Sequence, residues 1–341
     1  MRRFKTLAAI LTAAILCCAC STVQPVSQIQ IDKHTQTMQQ HKPANDIQTT
    51  KPTEQTEVQE TSSFNTEITT YLFAGIDKLG DDAQSTGQAD AIALLCVDKK
   101  NKKLDVMPID RNTMMMVNAQ DENGEDTEAI PLQICLQHAY AKNRTEAAQR
   151  LTETVSSFMY DIPIQGYVTV DMEGVVKIID ILGGITFVPN ENIPQSSYGE
   201  AITAGTEVTM TGKQALYYAR YRDINEFGSS AKRTARQKEV LSALAAKIKE
   251  AKAADAMDMT QMLTAVYPYV TTNLGIADIK NLAETAGQYQ NNVEIYELQG
   301  ETIIGETGHE EFNADENALY NTIYDIYKIP PENLVPLGAG M

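Results

Sequence analysis

The sequence predicts a mixed α/β fold in which a central β-sheet lies between helical layers, an α-β-α sandwich. Three observations carry this expectation. Asp90–Asp98 (DAIALLCVD) is a nearly continuous apolar run, the pattern of a strand covered on both faces. Residues 145–159 place Ala147, Leu151, Val155, Phe158 and Met159 on one helical face. Strand-like and helix-like segments then follow one another along the chain, with no internal repeat.

Taken in order, the folded part begins near Phe64, and Ile68–Ile76 (ITTYLFAGI) reads as a strand ending at Asp77. Asp90–Asp98 is the second strand, and the turn signal KKNKK leads into a third at Lys103–Ile109. Leu132–Ala141 and Thr145–Met159 have helical spacing. Gly166–Val170 is a short strand, Met172–Leu182 a helix stopped by Gly183 and Gly184, and Ile185–Val188 another strand. Thr211–Ala219 and Ala231–Ala253 are helices, the second long and amphipathic. Ala277–Tyr289, Val293–Leu298 and Asp315–Tyr327 add helix, strand and helix. Residues 64–300 are expected to form the main domain, and 301–341 an extension packed on it with a loose tail (PLGAGM).

The first 63 residues read differently. MRRFK followed by TLAAILTAAIL has the basic and apolar regions of an export signal. The CCACST that follows resembles a lipoprotein signal, in which one cysteine becomes the lipidated first residue. Cys20, after Ala19 and before a polar stretch, is the favoured acceptor, and Cys18 is its competitor. Simple cleavage and an uncleaved anchor are the alternatives. Residues 21–63 are rich in Gln, Thr, Ser and Pro and too poor in large apolar residues to offset their ordering entropy. They read as a disordered tether, with a root-mean-square span on the order of 35 Å.

With 45 Asp+Glu against 28 Lys+Arg, the net charge of −17 argues against sequence-independent nucleic-acid binding. Cys96 and Cys135, the two cysteines beyond the signal, both fall in apolar runs, so two buried thiols and a disulfide both stay open. No zinc spacing, nucleophile elbow, phosphate loop or dinucleotide fingerprint occurs. His138 in an apolar stretch and His309 in an acidic one do not stand out as catalysts. Arginine is more informative. Of the nine arginines two are in the signal, and Arg220, Arg222, Arg233 and Arg236 cluster, while Arg111 follows a strand in PIDRNT. Scarce arginines concentrated in an acidic chain suggest a local anion site, because the guanidinium fork matches phosphate bidentately; structural salt bridges are the competing explanation.

The series YLFAGID, GQADAIALLCVD, PIDRNT, DILGGITFV, TGKQALYYARYR and KRTARQ, spanning about residues 68–245, is similar in order and spacing to the LytR–CpsA–Psr family. The resemblance implies an extracytoplasmic phosphotransferase that moves a glycopolymer from a polyprenyl-pyrophosphate carrier to peptidoglycan, by analogy onto the 6-hydroxyl of N-acetylmuramic acid. It implies that Asp77 and Asp90 hold Mg²⁺, with Arg111 catalytic beside them, and that Arg111, Arg220, Arg222, Arg233 and Gln237 bind the pyrophosphate. It also implies an apolar groove for the carrier lipid, with helices 145–159, 172–182 and 236–248 as candidate walls, whose apolar residues fit an ordinary core equally well, and Met114–Met116 as candidate lining. A lipid-anchored protein on the wall side of the cytoplasmic membrane follows from the signal. Three positions depart from the family pattern: Gln88 stands for an arginine, Asp110 for a proline and Asn112 for an aspartate. A catalytically weak relative that binds polyprenyl phosphate or wall polymer is therefore the alternative, and an exported adhesive module a remoter one.

Overall fold

The computed structural model describes residues 67–78, 86–121, 124–196, 200–221, 229–254, 259–289, 291–330 and 334. The export signal, Cys18, Cys20, the tether, Arg222 and the tail after 334 lie outside the described residues. In chain order the elements are β1 (Ile68–Asp77), β2 (Gln88–Asp98), β3 (Lys103–Ile109), β4 (Met114–Gln120), β5 (Asp126–Gln133), α1 (Arg144–Phe158), β6 (Gly166–Asp171), α2 (Met172–Ile181), β7 (Ile185–Phe187), β8 (Val208–Met210), α3 (Gly212–Arg220), α4 (Ser229–Ala253), α5 (Met259–Val266), β9 (Val270–Thr272), α6 (Ile276–Tyr289), β10 (Val293–Ile295), β11 (Gly300–Ile304), β12 (Glu310–Ala314) and α7 (Glu316–Tyr327). Short 3₁₀ turns occupy Ile134–His138 and Tyr267–Tyr269.

Six strands form one mixed sheet in the order β10-β3-β2-β1-β6-β9. β1 runs antiparallel to β2 and parallel to β6, and β10 runs parallel to β3. The period-two alternation of β1 and β2 divides their side chains between two cores. Phe73, Ala93, Leu95 and Val97 face a layer built from α2, α3, α4, α5 and α6. Leu72, Ala74, Ile76, Ile92, Leu94 and Cys96 face a layer built from α1 and α7. This is the sandwich expected, and it explains why residues 90–98 lack polar alternation.

Helix starts follow local capping chemistry. The Asn143 side chain accepts from the Glu146 N–H at 3.0 Å to open α1, and Thr211 with Gln214 makes a reciprocal capping box on α3. Asp315 caps α7, whose Leu319, Ile323, Ile326 and Tyr327 pack into the second core. The Tyr327 hydroxyl reaches Thr70 Oγ1 at 2.7 Å and Cys96 Sγ at 3.1 Å. Among the described residues no helix is long and apolar enough to cross a membrane.

Some expectations need correction. Leu132–Ala141 is not a helix: it is the end of β5 followed by the turn Ile134–His138. Apolar residues in so short a run suit a strand end and one helical turn equally well, and Pro131 is tolerated here because β5 lies at the edge of a two-stranded ribbon. The candidate lipid walls do not share one face. α1 packs on the Leu72 side of the sheet, whereas α2 and α4 pack on the Phe73 side. An apolar stripe reports that a helix is covered, and not by which face of the sheet. Met114–Met116 lie in the β4–β5 ribbon, where Met115 packs on the α1 side and Met116 is exposed. Cys96 and Cys135 are buried free thiols.

Candidate functional site

Asp77, Asp90, Arg111, Arg220 and Arg233 gather where β1 ends and β2 begins. Asp77, the last residue of β1, is paired with Gln88, the first of β2. The register passes from Gly75↔Ala91 to Ile76↔Ala89, so Asp90 has no partner on β1. Such a bulge re-aims a side chain and is common beside functional sites. Gly87 makes the approach to the bulge possible: its φ is +77°, and a Cβ there would lie 2.9 Å from the Asp77 carbonyl oxygen.

Arg111 sits in the turn that leaves β3. The Thr113 N–H closes the turn on the Asp110 carbonyl at 3.0 Å, and Asp110 Oδ1 accepts from the Asn112 N–H at 2.8 Å. Arg111 Nη1 lies 3.0 Å from Asp90 Oδ1. Its Nη2 donates to Gln88 Oε1 at 2.5 Å and to Cys135 Sγ at 3.3 Å. On the other side of the site α3 ends at Arg220, whose Nη2 lies 3.0 Å from Asp77 Oδ1. The chain returns as α4, which carries Arg233 and, one turn later, Gln237, both half-buried. Burial raises the Asp90 pKa; Arg111 pulls it down, Asp77 pushes it up, and Arg233 and Arg220 pull it down. The fields of three arginines and a second carboxylate thus meet on one buried aspartate.

Arg236 behaves differently from its neighbour Arg233. It is 2 % exposed, and its Nε donates to the Tyr218 carbonyl at 3.0 Å. Its two Nη atoms reach the Tyr221 carbonyl and Glu191. It therefore ties α4 to the C-terminal end of α3, the end that carries Arg220. Its role is structural.

The three departures now have locations. Gln88 faces Arg111, Asp110 caps its own turn, and Asn112 lies 3.5 Å from Glu310 on β12. Cys135 was not legible as a site residue. It is a buried thiol, raised further by burial, with no sequence signal of its contact with Arg111. His138 turns out to brace the site: its Nδ1 donates to the Gly87 carbonyl at 2.9 Å, while Thr86 Oγ1 donates to the His138 carbonyl at 2.7 Å. Burial lowers the His138 pKa. A depressed folded pKa means that stability is full above the unfolded value of about 6.5 and is lost as pH falls. We expect the melting temperature to decline from pH 7 to pH 5, with a shallower decline in His138→Gln, which keeps a donor for Gly87 but takes up no proton. A pH series of thermal unfolding checks this, and equal slopes would contradict it.

A family model described as the LytR_cpsA_psr family matches residues 28–327. The chain is similar to a protein of Enterococcus faecalis named polyisoprenyl-teichoic acid–peptidoglycan teichoic acid transferase TagU, at 28% identity over 239 residues, covering 69% of this chain and 71% of that one. It is similar to the Bacillus subtilis protein of the same name at 27% identity, covering 73% of each. In structure it is similar to B. subtilis TagV, with a TM-score of 0.55 at 23% identity, covering 78% of this chain and 99% of that one. The matched span takes in the strand-end aspartates, the Arg111 turn and the α3–α4 arginines together, and the chain belongs to the LytR–CpsA–Psr family.

Proposed function

We propose that this protein is an extracytoplasmic phosphotransferase that moves a glycopolymer from a polyprenyl-pyrophosphate carrier to peptidoglycan. The names of its relatives, teichoic acid transferases acting between a polyisoprenyl-linked polymer and peptidoglycan, support the substrate class. The observation that carries the reading is the convergence of Arg111, Arg220 and Arg233 on the carboxylates of Asp77 and Asp90. Phosphoryl transfer asks for positioned charge more than for covalent help from the protein.

The polar atoms left over at the site suit a diphosphate and a divalent ion. Asp77 Oδ1 and Asp90 Oδ1 are buried and ion-paired but accept no hydrogen bond, and Arg111 Nε is a buried donor without an acceptor. A buried donor such as Arg111 Nε costs about 1–3 kcal/mol unless a ligand accepts from it. Asp77 and Asp90 would hold Mg²⁺, which takes one or two carboxylates and completes its shell with phosphate and water oxygens. Bound there, Mg²⁺ supplies neutralising charge to the diphosphate. Arg111, Arg220 and Arg233 orient the phosphoryl oxygens and stabilise the charge that builds on them, and Gln237, one turn after Arg233 on α4, is a further candidate ligand for the same oxygens. A sugar hydroxyl of the acceptor forms the new O–P bond and gives its proton to a carboxylate of the pair. The P–O bond to the carrier breaks, and polyprenyl phosphate leaves. The prenyl chain would lie on the Phe73 side of the sheet, where Val175, Leu182, Tyr217 and Leu241 are only partly covered. A lipid on Cys20 would hold the protein on the wall side of the membrane.

The test is incubation of the full chain in detergent with geranyl pyrophosphate and Mg²⁺. Phosphate release that stops on chelation and falls by roughly 100-fold, to a residual rate, in Arg111→Ala is the expected result. Gln88, neutral where the family has a cation, favours the second reading, a carrier-lipid-binding protein. Retention of the prenyl compound without release of phosphate would select that reading instead.

A further inference from the structure

We infer that Gln88 is a positioning residue for Arg111, so that the family cation missing at this position has been replaced by a clamp on the neighbouring one. The inference rests on the functional reading above for its kinetic part and on geometry for the rest. The backbone around Arg111 is held from two sides. Its carbonyl accepts from the Cys135 N–H at 3.2 Å, the Thr113 carbonyl accepts from the Ile134 N–H at 2.8 Å, and the Asn112 carbonyl accepts from the Phe312 N–H at 2.9 Å. A fixed backbone does not fix a long side chain, since arginine carries about 2 kcal/mol of rotamer entropy.

Gln88 and Asp90 remove that freedom. Both project from the first residues of β2, and each takes one arm of the guanidinium: Asp90 takes Nη1 at 3.0 Å and Gln88 takes Nη2 at 2.5 Å. The amide oxygen of Gln88 must be the atom facing Nη2, because a guanidinium has no acceptor. Arginine at position 88 could not make this contact and would repel Arg111. Glutamate could make it but would add a third carboxylate beside Asp77 and Asp90. Glutamine holds the second arm without adding another carboxylate to the one Asp90 already supplies, so more of the charge stays available to a phosphoryl oxygen. With both arms occupied, the buried Nε–H is the donor whose direction the clamp sets. Cys135 Sγ at 3.3 Å is a weaker third support.

The test combines a spectroscopic readout, which needs no turnover, with a kinetic one, both on the full chain in detergent. In arginine-¹⁵N-labelled protein, Arg111 is expected to show separate, slowly exchanging Nη1 and Nη2 resonances. They should merge in Gln88→Leu and persist in Gln88→Glu. With geranyl pyrophosphate and Mg²⁺, Gln88→Leu should lower kcat on the order of 10- to 100-fold with little change in KM, and should lower it no further when Arg111→Ala is already present. Unchanged Nη resonances in Gln88→Leu, or an equal loss of kcat in the Arg111→Ala background, would overturn the inference. A wild-type protein that releases no phosphate would overturn the functional reading alone, and the resonances would then decide the clamp.

Discussion

Replacing Asp90 with asparagine is expected to cut phosphate release by at least about 100-fold while leaving the melting temperature at or above the wild-type value. Asparagine keeps the shape and an acceptor for Arg111 Nη1, while Gln88 and Cys135 continue to hold Nη2. What disappears is a buried negative charge. The folded pKa of Asp90 is raised, first by burial, with Arg111 opposing. A raised folded pKa means that the stability contribution is full below the unfolded value of about 3.9 and is lost as pH rises through the folded value. At neutral pH the ionised side chain therefore costs stability, and the neutral variant does not bear that cost. Activity should fall by at least about 100-fold, since a charge directed at the reacting group is lost. Thermal unfolding and phosphate release on the same preparation check both halves. A variant that is both less stable and fully active would show that Asp90 is a structural partner of Arg111.

Arg236 should show the reverse pattern. Arg236→Met leaves the carbonyls of Tyr218 and Tyr221 and the carboxylate of Glu191 without their donor. One buried carbonyl, at about 1–3 kcal/mol, and one half-buried carbonyl that water can partly take suggest a loss of roughly 2 kcal/mol. Glu191 adds little, because it is about a quarter exposed and water can take it. For a domain of this size the melting temperature should fall by roughly 4–8 °C. Activity should fall as well, because the freed carbonyl of Tyr221 lies next to Arg220. Arg220→Met is the control: its side chain is 38% exposed, so removing it should silence the site with little change in melting temperature. If the two variants lost stability equally, the division between a structural arginine and a ligand arginine would be wrong.

Much of this was legible locally. The apolar run before Asp98 announced a strand with cores on both faces, and cap residues such as Thr211 and Asp315 sit where helices begin. The strand-end position of Asp77 followed from the point where the apolar pattern stops. Other features had no local signature. The β4–β5 ribbon has only a weak local signature, because the apolar run MMMV masks the short alternation of Val117, Asn118, Ala119 and Gln120 that follows it. The side of the sheet that α1 covers depends on how its loops cross, and no periodicity in α1 encodes that. The contact of Cys135 with Arg111 joins residues 24 apart through a 3₁₀ turn that had looked like part of a helix.

The chain by itself determined the chemical inventory: few arginines and two strand-end aspartates, in an order and spacing that name a family. Tertiary structure alone decided which of them meet. Arg233 and Arg236 lie three residues apart on α4, about 60° around the helix from each other. One helps to set the charge on Asp90, and the other is buried against the carbonyls of α3. The rotation of α4 about its axis is fixed by the packing of Val240, Leu244 and Ile248 into the Phe73-side core, contacts that span most of the domain. No local pattern carries that rotation, so the same residue type acquires opposite roles one helical turn apart.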